Sequence, residues 1–90
     1  MSNKLNVVEL FAGVGGFRLG FETADKEYFQ TVWANQWEPS KKAQDAFDCY
    51  SKHFTEGEAS NDDITTVPND KFSSLNIDLL CGGFPWCELF

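Results

Sequence analysis

Hydrophobic residues along the chain occur either in short continuous runs or at helical spacing, and the two patterns alternate. Residues 6–11 form an apolar, β-branched run that leads into Ala-Gly, which is typical of a buried parallel strand before a tight turn. Phe17, Gly20, Phe21 and Ala24 then follow at the spacing i, i+3, i+4, i+7. This spacing predicts a helix that buries these four positions.

The alternation of strands and helices continues to the end of the chain. Residues 31–35 predict a second strand, and Pro39 fits the first turn of a second helix, where a missing N–H costs nothing. The inner face of that helix is predicted to consist of Ala43, Ala46, Phe47, Tyr50 and Phe54. A short strand is expected at 59–62, a short helix within 68–76 and a final buried strand at 77–81.

This order of elements implies a parallel sheet, because right-handed crossovers leave few other arrangements. We expect the strand order 3-2-1-4, which is the first half of a doubly wound, Rossmann-like α/β fold, truncated after the fourth strand. Ninety residues allow at most one domain with a thin core. Hydrophobic residues make up 42% of the chain and aromatic residues 16%, which excludes a disordered polypeptide.

Net charge and cysteine content restrict the kinds of partner and site that this chain is expected to have. The formal net charge of −7 argues against a main nucleic-acid surface, since phosphate binding requires Lys and Arg. Cys49, Cys81 and Cys87 are odd in number and contain no C-x-x-C pair, so neither a disulfide framework nor a metal site is predicted. The sequence starts without the apolar run of a signal peptide and contains no membrane-spanning stretch, and we therefore expect a cytoplasmic protein without membrane contact.

The glycine-rich turn Gly13-Val14-Gly15-Gly16 lies between the first predicted strand and the first predicted helix. In a doubly wound fold this turn binds a nucleotide, because glycines let the ligand approach the backbone and the helix amino terminus donates N–H groups. A plain tight turn is the alternative.

Candidate ligand-binding side chains follow at the expected distance. A ribose-binding residue is expected about 20 residues after the glycines, at the end of the second strand, where the sequence reads Asn35-Gln36-Trp37-Glu38. Trp37 offers a flat face for an adenine ring, and the Asp63 carboxylate can accept a hydrogen bond from an exocyclic amine. The alternatives are a core aromatic for Trp37 and a solvated loop acid or helix cap for Asp63.

Four segments resemble, in order, the motifs of DNA (cytosine-5) methyltransferases. They read V-E-L-F-A-G-V-G-G-F-R-L-G-F-E, W-A-N-Q-W-E-P, N-D-D-I-T-T-V and I-D-L-L-C-G-G-F-P-W-C. The resemblance implies a methyltransferase fold with an S-adenosylmethionine pocket, in which Trp37 packs on adenine while Asp63 and Ile64 hold the base. The implied pocket residues are Phe11, Ala12, Gly13, Gly15, Gly16, Phe17, Gln36, Trp37, Asp63 and Ile64.

The sequence departs from the family pattern at two positions. Gln36 stands where the family usually carries a Glu that binds both ribose hydroxyls, so the acceptor is kept but the charge is lost, and Glu38 is close enough in sequence to compensate. Trp86 stands between Pro85 and Cys87, where the family runs Gly-Phe-Pro-Cys-Gln, so the implied nucleophile Cys87 is displaced by one residue.

The displacement matters for the reaction that the resemblance implies. A thiolate must add to C6 of a flipped cytosine while C5 takes the methyl group, and one residue of extended chain shifts the thiol by about 3.3 Å. An inert tail cysteine is therefore the alternative for Cys87.

The resemblance also implies what lies outside these residues. In the family the general acid and the target-recognition region follow the nucleophile, whereas this sequence ends three residues after Cys87. We interpret residues 1–90 as the amino-terminal part of the catalytic domain, inactive alone, from a bacterial restriction-modification or phage enzyme. Duplex DNA is the expected partner of the full-length enzyme, with weak or no binding by this chain.

Two other functions stay open. One is a non-catalytic fold fragment that self-associates as a homodimer through the exposed edge of the fourth strand. The other is a nucleotide-dependent oxidoreductase that uses the glycine turn for NAD, although the glycine spacing departs from G-x-G-x-x-G.

Overall fold

A computed structural model describes residues 4–25, 27–39 and 41–83. They form a four-stranded parallel sheet with helices in the connections. The strands are β1 (Leu5–Leu10), β2 (Phe29–Asn35), β3 (Glu58–Ser60) and β4 (Leu79–Gly82). The helices are α1 (Gly16–Asp25), α2 (Asp45–His53) and α3 (Asn69–Ser73), and a single 3-10 turn covers Ile64–Thr66.

The strand order is β3-β2-β1-β4, which confirms the predicted topology. β1 lies inside the sheet and pairs with both β2 and β4, and its apolar residues Val7 and Val8 are 1% and 0% exposed. Such a strand is covered on both faces, which explains why its sequence is mainly apolar, although the charged residue Glu9 is also buried in it. The register against β2 shifts between Val7 and Val8, where the ladder has a bulge.

The two faces of the sheet are covered by different helices. Ala12, Ala34, Tyr50 and Phe54 form the buried cluster on the side of α2. Trp33, next to Ala34 in β2, points to the opposite side because side chains alternate along a strand. Its ring packs edge-on against Phe72 of α3, with the ring centroids 5.4 Å apart.

The predicted inner face of α1 is wrong. Phe17 is 49% exposed and Gly20 and Ala24 are exposed, whereas Phe21 is half-buried. The buried residue of α1 is Arg18, at 4% exposure. A buried guanidinium is tolerated here because each of its nitrogens has a hydrogen-bond acceptor. The apolar spacing therefore did not identify the side of α1 that faces the sheet.

Several predicted boundaries also shift. α2 begins at Asp45 and not near Pro39, so Ala43 precedes the helix and is exposed. Tyr50 and Phe54 are buried as predicted, at 1% and 7% exposure. β4 begins at Leu79 and is not fully buried, since Leu80 is 54% exposed. The reason is that only the short α3 covers this side of the sheet within the described part of the chain.

Candidate functional site

The carboxyl ends of the parallel strands meet along one edge of the sheet. The N–H of Ala12, after β1, donates to the carbonyl of Asn35 at the end of β2, at 3.1 Å. The N–H of Gln36 donates to the carbonyl of Ser60 at the end of β3, at 2.9 Å. The loops that follow β1, β2 and β3 therefore lie side by side, at the edge where doubly wound sheets bind ligands.

The turn between β1 and α1 has an unusual backbone. Phe11, Gly13 and Gly15 all have positive φ, at 52°, 60° and 99°. A positive φ is uncommon in a residue with a side chain, and such strain is found preferentially at functional sites. The N–H of Gly15 donates to the carbonyl of Ala12 at 3.0 Å and closes the turn, and the N–H of Leu19 then donates to the carbonyl of Gly15 as α1 begins.

The glycines of this turn have different surroundings. A Cβ atom at Gly15 would overlap the ring of Phe54 and lie 3.0 Å from Tyr50, so this glycine is required by the fold. A Cβ at Gly13 or Gly16 would meet no atom within 4 Å. The two glycines that face open space therefore leave room for a ligand against the backbone.

An open cavity of about 420 Å³ borders this turn. It is lined by Phe11, Ala12, Gly16, Phe17 and Gly83. Four of these five were predicted from the sequence, and Gly83, at the end of β4, was not, although the Gly-Gly pair after an apolar run is visible in the sequence. The lining is apolar apart from the backbone, which suits an uncharged part of a nucleoside ligand.

Gln36 is bound to the glycine turn. Its Oε1 accepts a hydrogen bond from the N–H of Gly13, at 2.8 Å. Within the described residues its Nε2 has no hydrogen-bond partner, so this group keeps its donor capacity, although Gln36 does not itself line the cavity. An amide oxygen accepts from a backbone N–H without the desolvation cost of a carboxylate.

Trp37 is exposed, at 36% of its surface. The alternative of a core aromatic is therefore wrong for Trp37, whereas Trp33 occupies that role at 1% exposure. An exposed aromatic ring that follows the carboxyl end of a strand is available for stacking.

Asp63 acts as a cap in this structure. Its Oδ1 accepts from the N–H of Thr65 at 3.0 Å and from the hydroxyl of Thr65 at 2.8 Å, which starts the 3-10 turn that contains Ile64. Both side chains are half-buried. Asp63 is thus a helix cap, one of the two alternatives given above for it, and it caps through Oδ1 alone.

Asn35, the first residue of the window predicted to bind ribose, has a structural role that the sequence analysis did not assign. It is 4% exposed, and its Nδ2 donates to the hydroxyl of Ser60 at 3.1 Å and to the carbonyl of Asp62 at 2.9 Å. These bonds hold the end of β3, and with it the Asp63 turn, beside the end of β2. A polar residue that closes an apolar strand is the signal that the sequence offered.

A buried ionic network lies beneath the glycine turn. The Tyr50 hydroxyl donates to Oε1 of Glu9 at 3.3 Å and accepts from Arg18 at 3.2 Å. Arg18 also donates to Glu22 at 2.9 Å and to the carbonyl of Glu56 at 2.8 Å. Nothing in the amphipathic pattern indicated this network.

Burial sets the ionisation of these groups. It raises the pKa of Glu9, whose carboxyl is 1% exposed and whose Oε2 has no partner within the described residues. It also raises the pKa of Tyr50 to about 12. Burial lowers the pKa of Arg18, but the hydrogen bonds with Glu22 and Tyr50 outweigh it and the net direction is upward. Arg18 is therefore a permanent cation of the core.

A larger cavity, about 790 Å³, lies at the opposite end of the strands. Its lining includes Lys4, Phe29 and Gly57 together with Arg18. One N–H on each nitrogen of the Arg18 guanidinium already donates to a protein group, and the residue is only 4% exposed, so it is poorly placed to bind a ligand. The carboxyl edge, although its cavity is smaller, is the better candidate on chemical grounds.

The remaining predictions concern cysteines, metals and membranes. Trp86 and Cys87 lie outside the described residues, and Cys81 is half-buried, with the pKa of its thiol raised by burial and by the nearby Glu9. In residues 4–25, 27–39 and 41–83 no group of three His, Cys, Asp or Glu is placed to hold a metal ion. No helix of that part of the chain has the length and apolar character needed to cross a membrane.

Comparison with known proteins identifies relatives along the whole described chain. A family model described as C-5 cytosine-specific DNA methylase matches residues 5–90. The Type II methyltransferase M.Sau3AI of Staphylococcus aureus is 57% identical over 83 residues, which are 92% of this chain and 20% of that protein. M.HhaI of Haemophilus parahaemolyticus is 35% identical over 86 residues, 96% of this chain and 22% of the relative. The chain thus spans about a fifth of the length of these curated relatives.

Proposed function

The chain belongs to the C-5 cytosine-specific DNA methylase family, and on this premise we propose that residues 1–90 are the amino-terminal, cofactor-binding part of a catalytic domain. The whole protein is proposed to transfer a methyl group from S-adenosylmethionine to C5 of cytosine in DNA. Its setting is a restriction-modification system in the cytoplasm of a bacterium, or a phage enzyme acting there, as the Type II names of the bacterial relatives suggest.

The observation that carries the proposal is the cavity at the carboxyl edge. Phe11, Ala12, Gly16 and Phe17 meet around it, and the Cβ positions of Gly13 and Gly16 face open space. An apolar, glycine-lined recess beside a helix amino terminus fits the adenosine and methionine parts of S-adenosylmethionine. The bound cofactor supplies an activated methyl group.

Side chains of the neighbouring loops at the carboxyl ends of the strands have distinct proposed roles. Nε2 of Gln36 donates to a ribose hydroxyl while Oε1 stays on the N–H of Gly13. The exposed ring of Trp37 stacks on adenine. Asp63 holds the Ile64 turn through Oδ1, and its second oxygen accepts from the exocyclic amine. Gly15 contributes by holding the turn against Phe54.

Two parts of the proposal concern DNA. With a net charge of −7, these 90 residues bind duplex DNA weakly or not at all, and the basic surface for DNA belongs to the other parts of the protein. Cys87 is proposed as the nucleophile of the family, displaced by Trp86, and its placement relative to the cavity stays a prediction.

A second candidate function is self-association. β4 is the terminal strand of the described sheet, and Leu80 on it is 54% exposed. An apolar strand edge is a template for pairing, so a homodimer through β4 is the specific form of this candidate.

Calorimetric titration of the chain with S-adenosylmethionine tests the main proposal. We expect binding with a dissociation constant in the high micromolar range or weaker, about −4 to −6 kcal/mol, because these residues cover a fifth of the relatives. NAD serves as the control for the oxidoreductase alternative and is expected not to bind. Binding of NAD in preference to S-adenosylmethionine would contradict the proposal.

A further inference from the structure

The loop between β2 and α2 has no regular secondary structure, yet two amide side chains hold it. Oε1 of Gln44 accepts from the N–H of Glu38 at 2.8 Å, and Nε2 of Gln44 donates to the carbonyls of Glu38 and Lys41, each at 2.9 Å. Nδ2 of Asn61 donates to the carbonyl of Gln36 at 2.7 Å and to Oε1 of Gln44 at 3.2 Å. We call this pair, Gln44 and Asn61, the amide clasp.

The position of Gln44 shows that its side chain serves the loop. Gln44 is the residue before α2, where a polar side chain commonly caps the helix, but it makes no capping bond. It pairs instead with both the N–H and the carbonyl of Glu38, as a neighbouring strand would. The Gln44 side chain therefore binds the loop before α2 and not the N–H groups of the first turn of α2.

The clasp holds the backbone on both sides of Trp37. Asn61 binds the backbone carbonyl of Gln36, and Gln44 binds the backbone N–H and carbonyl of Glu38. The backbone is therefore hydrogen-bonded on each side of Trp37. The N–H of Gln36 is held as well, by Ser60. The Trp37 side chain, at 36% exposure, is thus attached to a backbone that is hydrogen-bonded on both sides.

We propose that Gln44 and Asn61 are positioning residues for the cofactor, acting through Trp37. The inference rests on the proposed function, in which Trp37 stacks on adenine. A loop that is ordered before the ligand arrives does not lose that conformational freedom on binding, so preorganisation raises affinity without a new ligand contact. Neither amide touches the ligand.

The test compares Gln44→Met with the parent protein by calorimetry with S-adenosylmethionine. Met keeps the length of the side chain and removes both polar groups, and we expect about tenfold weaker binding. Gln44→Glu keeps an acceptor for the Glu38 N–H but loses both donors. Its affinity for S-adenosylmethionine should therefore lie between those of the parent and of Gln44→Met. Gln30→Met is the matched control, because Gln30 bonds to Asn6 at the amino-terminal end of β2.

Two local measurements separate positioning from general destabilisation. Hydrogen exchange of the Glu38 amide should accelerate in Gln44→Met while amides of the β1–β2 ladder stay protected. Fluorotryptophan incorporated at Trp37, with its resonance assigned from Trp37→Phe, should report a broadened or shifted signal. Gln30→Met should change neither.

The outcomes are distinguishable. If the parent does not bind S-adenosylmethionine, the proposed function fails, whatever the clasp does. If the parent binds and Gln44→Met binds equally well, or binds more weakly with an unchanged Glu38 amide and Trp37 signal, the clasp proposal is overturned. Should Gln44→Met not fold, Asn61→Ala, which removes the bonds to Gln36 and Gln44, gives the same comparison.

Discussion

Single residues of the glycine turn have separable roles in folding and binding. Gly15 has a φ of 99°, and a methyl group added to it would overlap Phe54, whereas Gly16 has open space where a methyl group would go. The same glycine-rich sequence thus contains one residue required by the core and another that borders the cavity. Alanine substitutions distinguish them.

Gly15→Ala should destabilise the protein by about 2 to 4 kcal/mol, from a left-handed backbone and overpacking against Phe54. Gly16→Ala should keep the free energy of unfolding within about 1 kcal/mol of the parent, because alanine suits a helix better than glycine. It should instead weaken binding of S-adenosylmethionine, since its methyl group enters the cavity. Urea unfolding and calorimetry measure the two effects, and equal stability of both variants would contradict the assignment.

Trp37 gives the most direct test of the adenine site. Trp37→Ala should weaken binding by about 1 to 3 kcal/mol through loss of stacking and apolar burial. Tyr28→Ala is the matched control, because Tyr28 is also an exposed aromatic, at 46%, but lies before the amino-terminal end of β2. Calorimetry that shows the two variants binding alike would remove Trp37 from the site.

At the scale of elements, the buried network connects three of them. Glu9 on β1, Arg18 on α1 and Tyr50 on α2 form a continuous chain of hydrogen bonds. The Arg18 guanidinium also lies 4.6 Å from the centroid of the Phe54 ring. Since α1 and α2 flank the glycine turn, this network holds in place the elements that surround the turn.

The raised pKa of Glu9 predicts how stability depends on pH. The Glu9 carboxyl binds its proton more tightly in the folded protein than in the unfolded chain, where its pKa is 4.5. The stability that this difference contributes is therefore fully present below pH 4.5. It is lost as the pH rises through the raised pKa of the folded state. Glu9→Gln, which keeps an oxygen for the Tyr50 hydroxyl, should flatten this fall in urea unfolding measured across the acidic to neutral range.

Glu58→Gln is the control for the pH experiment. The Lys71 side chain holds the pKa of Glu58 below its usual value, so the stability that Glu58 contributes is present above pH 4.5 and is lost in acid. Its contribution to the free energy of unfolding therefore changes with pH in the opposite direction to that of Glu9. The change is smaller because Glu58 is exposed. If Glu9→Gln leaves the pH profile unchanged, the Glu9 carboxyl is not titrating as its burial predicts.

At the scale of the molecule, the 90 residues should not methylate DNA. They match about a fifth of the length of their relatives, carry a net charge of −7 and place Trp86 before Cys87. We expect no incorporation of labelled methyl groups into duplex DNA at any protein concentration, since nucleophile, general acid and target recognition act together. Incorporation that Cys87→Ser abolishes would overturn this expectation.

The sheet also predicts the behaviour of the isolated chain in solution. β4 carries the exposed Leu80 and pairs only with β1 among the described strands, so light scattering over a concentration series should show self-association. Leu80→Lys should reduce it, because a charged side chain opposes edge pairing. A monomer at hundreds of micromolar, with β4 amides strongly protected from hydrogen exchange, would show that the edge is covered in another way.

The sequence by itself determined the features that depend on local order along the chain. The mainly apolar run of β1, the glycine turn and the later strands were sufficient for the strand order β3-β2-β1-β4, since parallel crossovers permit few alternatives. The family followed from motifs read in sequence, and residues 5–90 match it. Four of the residues around the carboxyl-edge cavity were predicted for the same reason.

Only the tertiary structure decided which side chains those elements bury and bind. Periodicity placed Phe17 inside, but Arg18 is buried because Tyr50 and Glu56, distant in sequence, supply acceptors in addition to Glu22 of the same helix. Gln44 stands directly before α2, yet its side chain binds a loop whose backbone the sequence pattern cannot place. A hydrogen bond between distant residues depends on three-dimensional distance, whereas hydrophobic periodicity reports only on neighbours within one element.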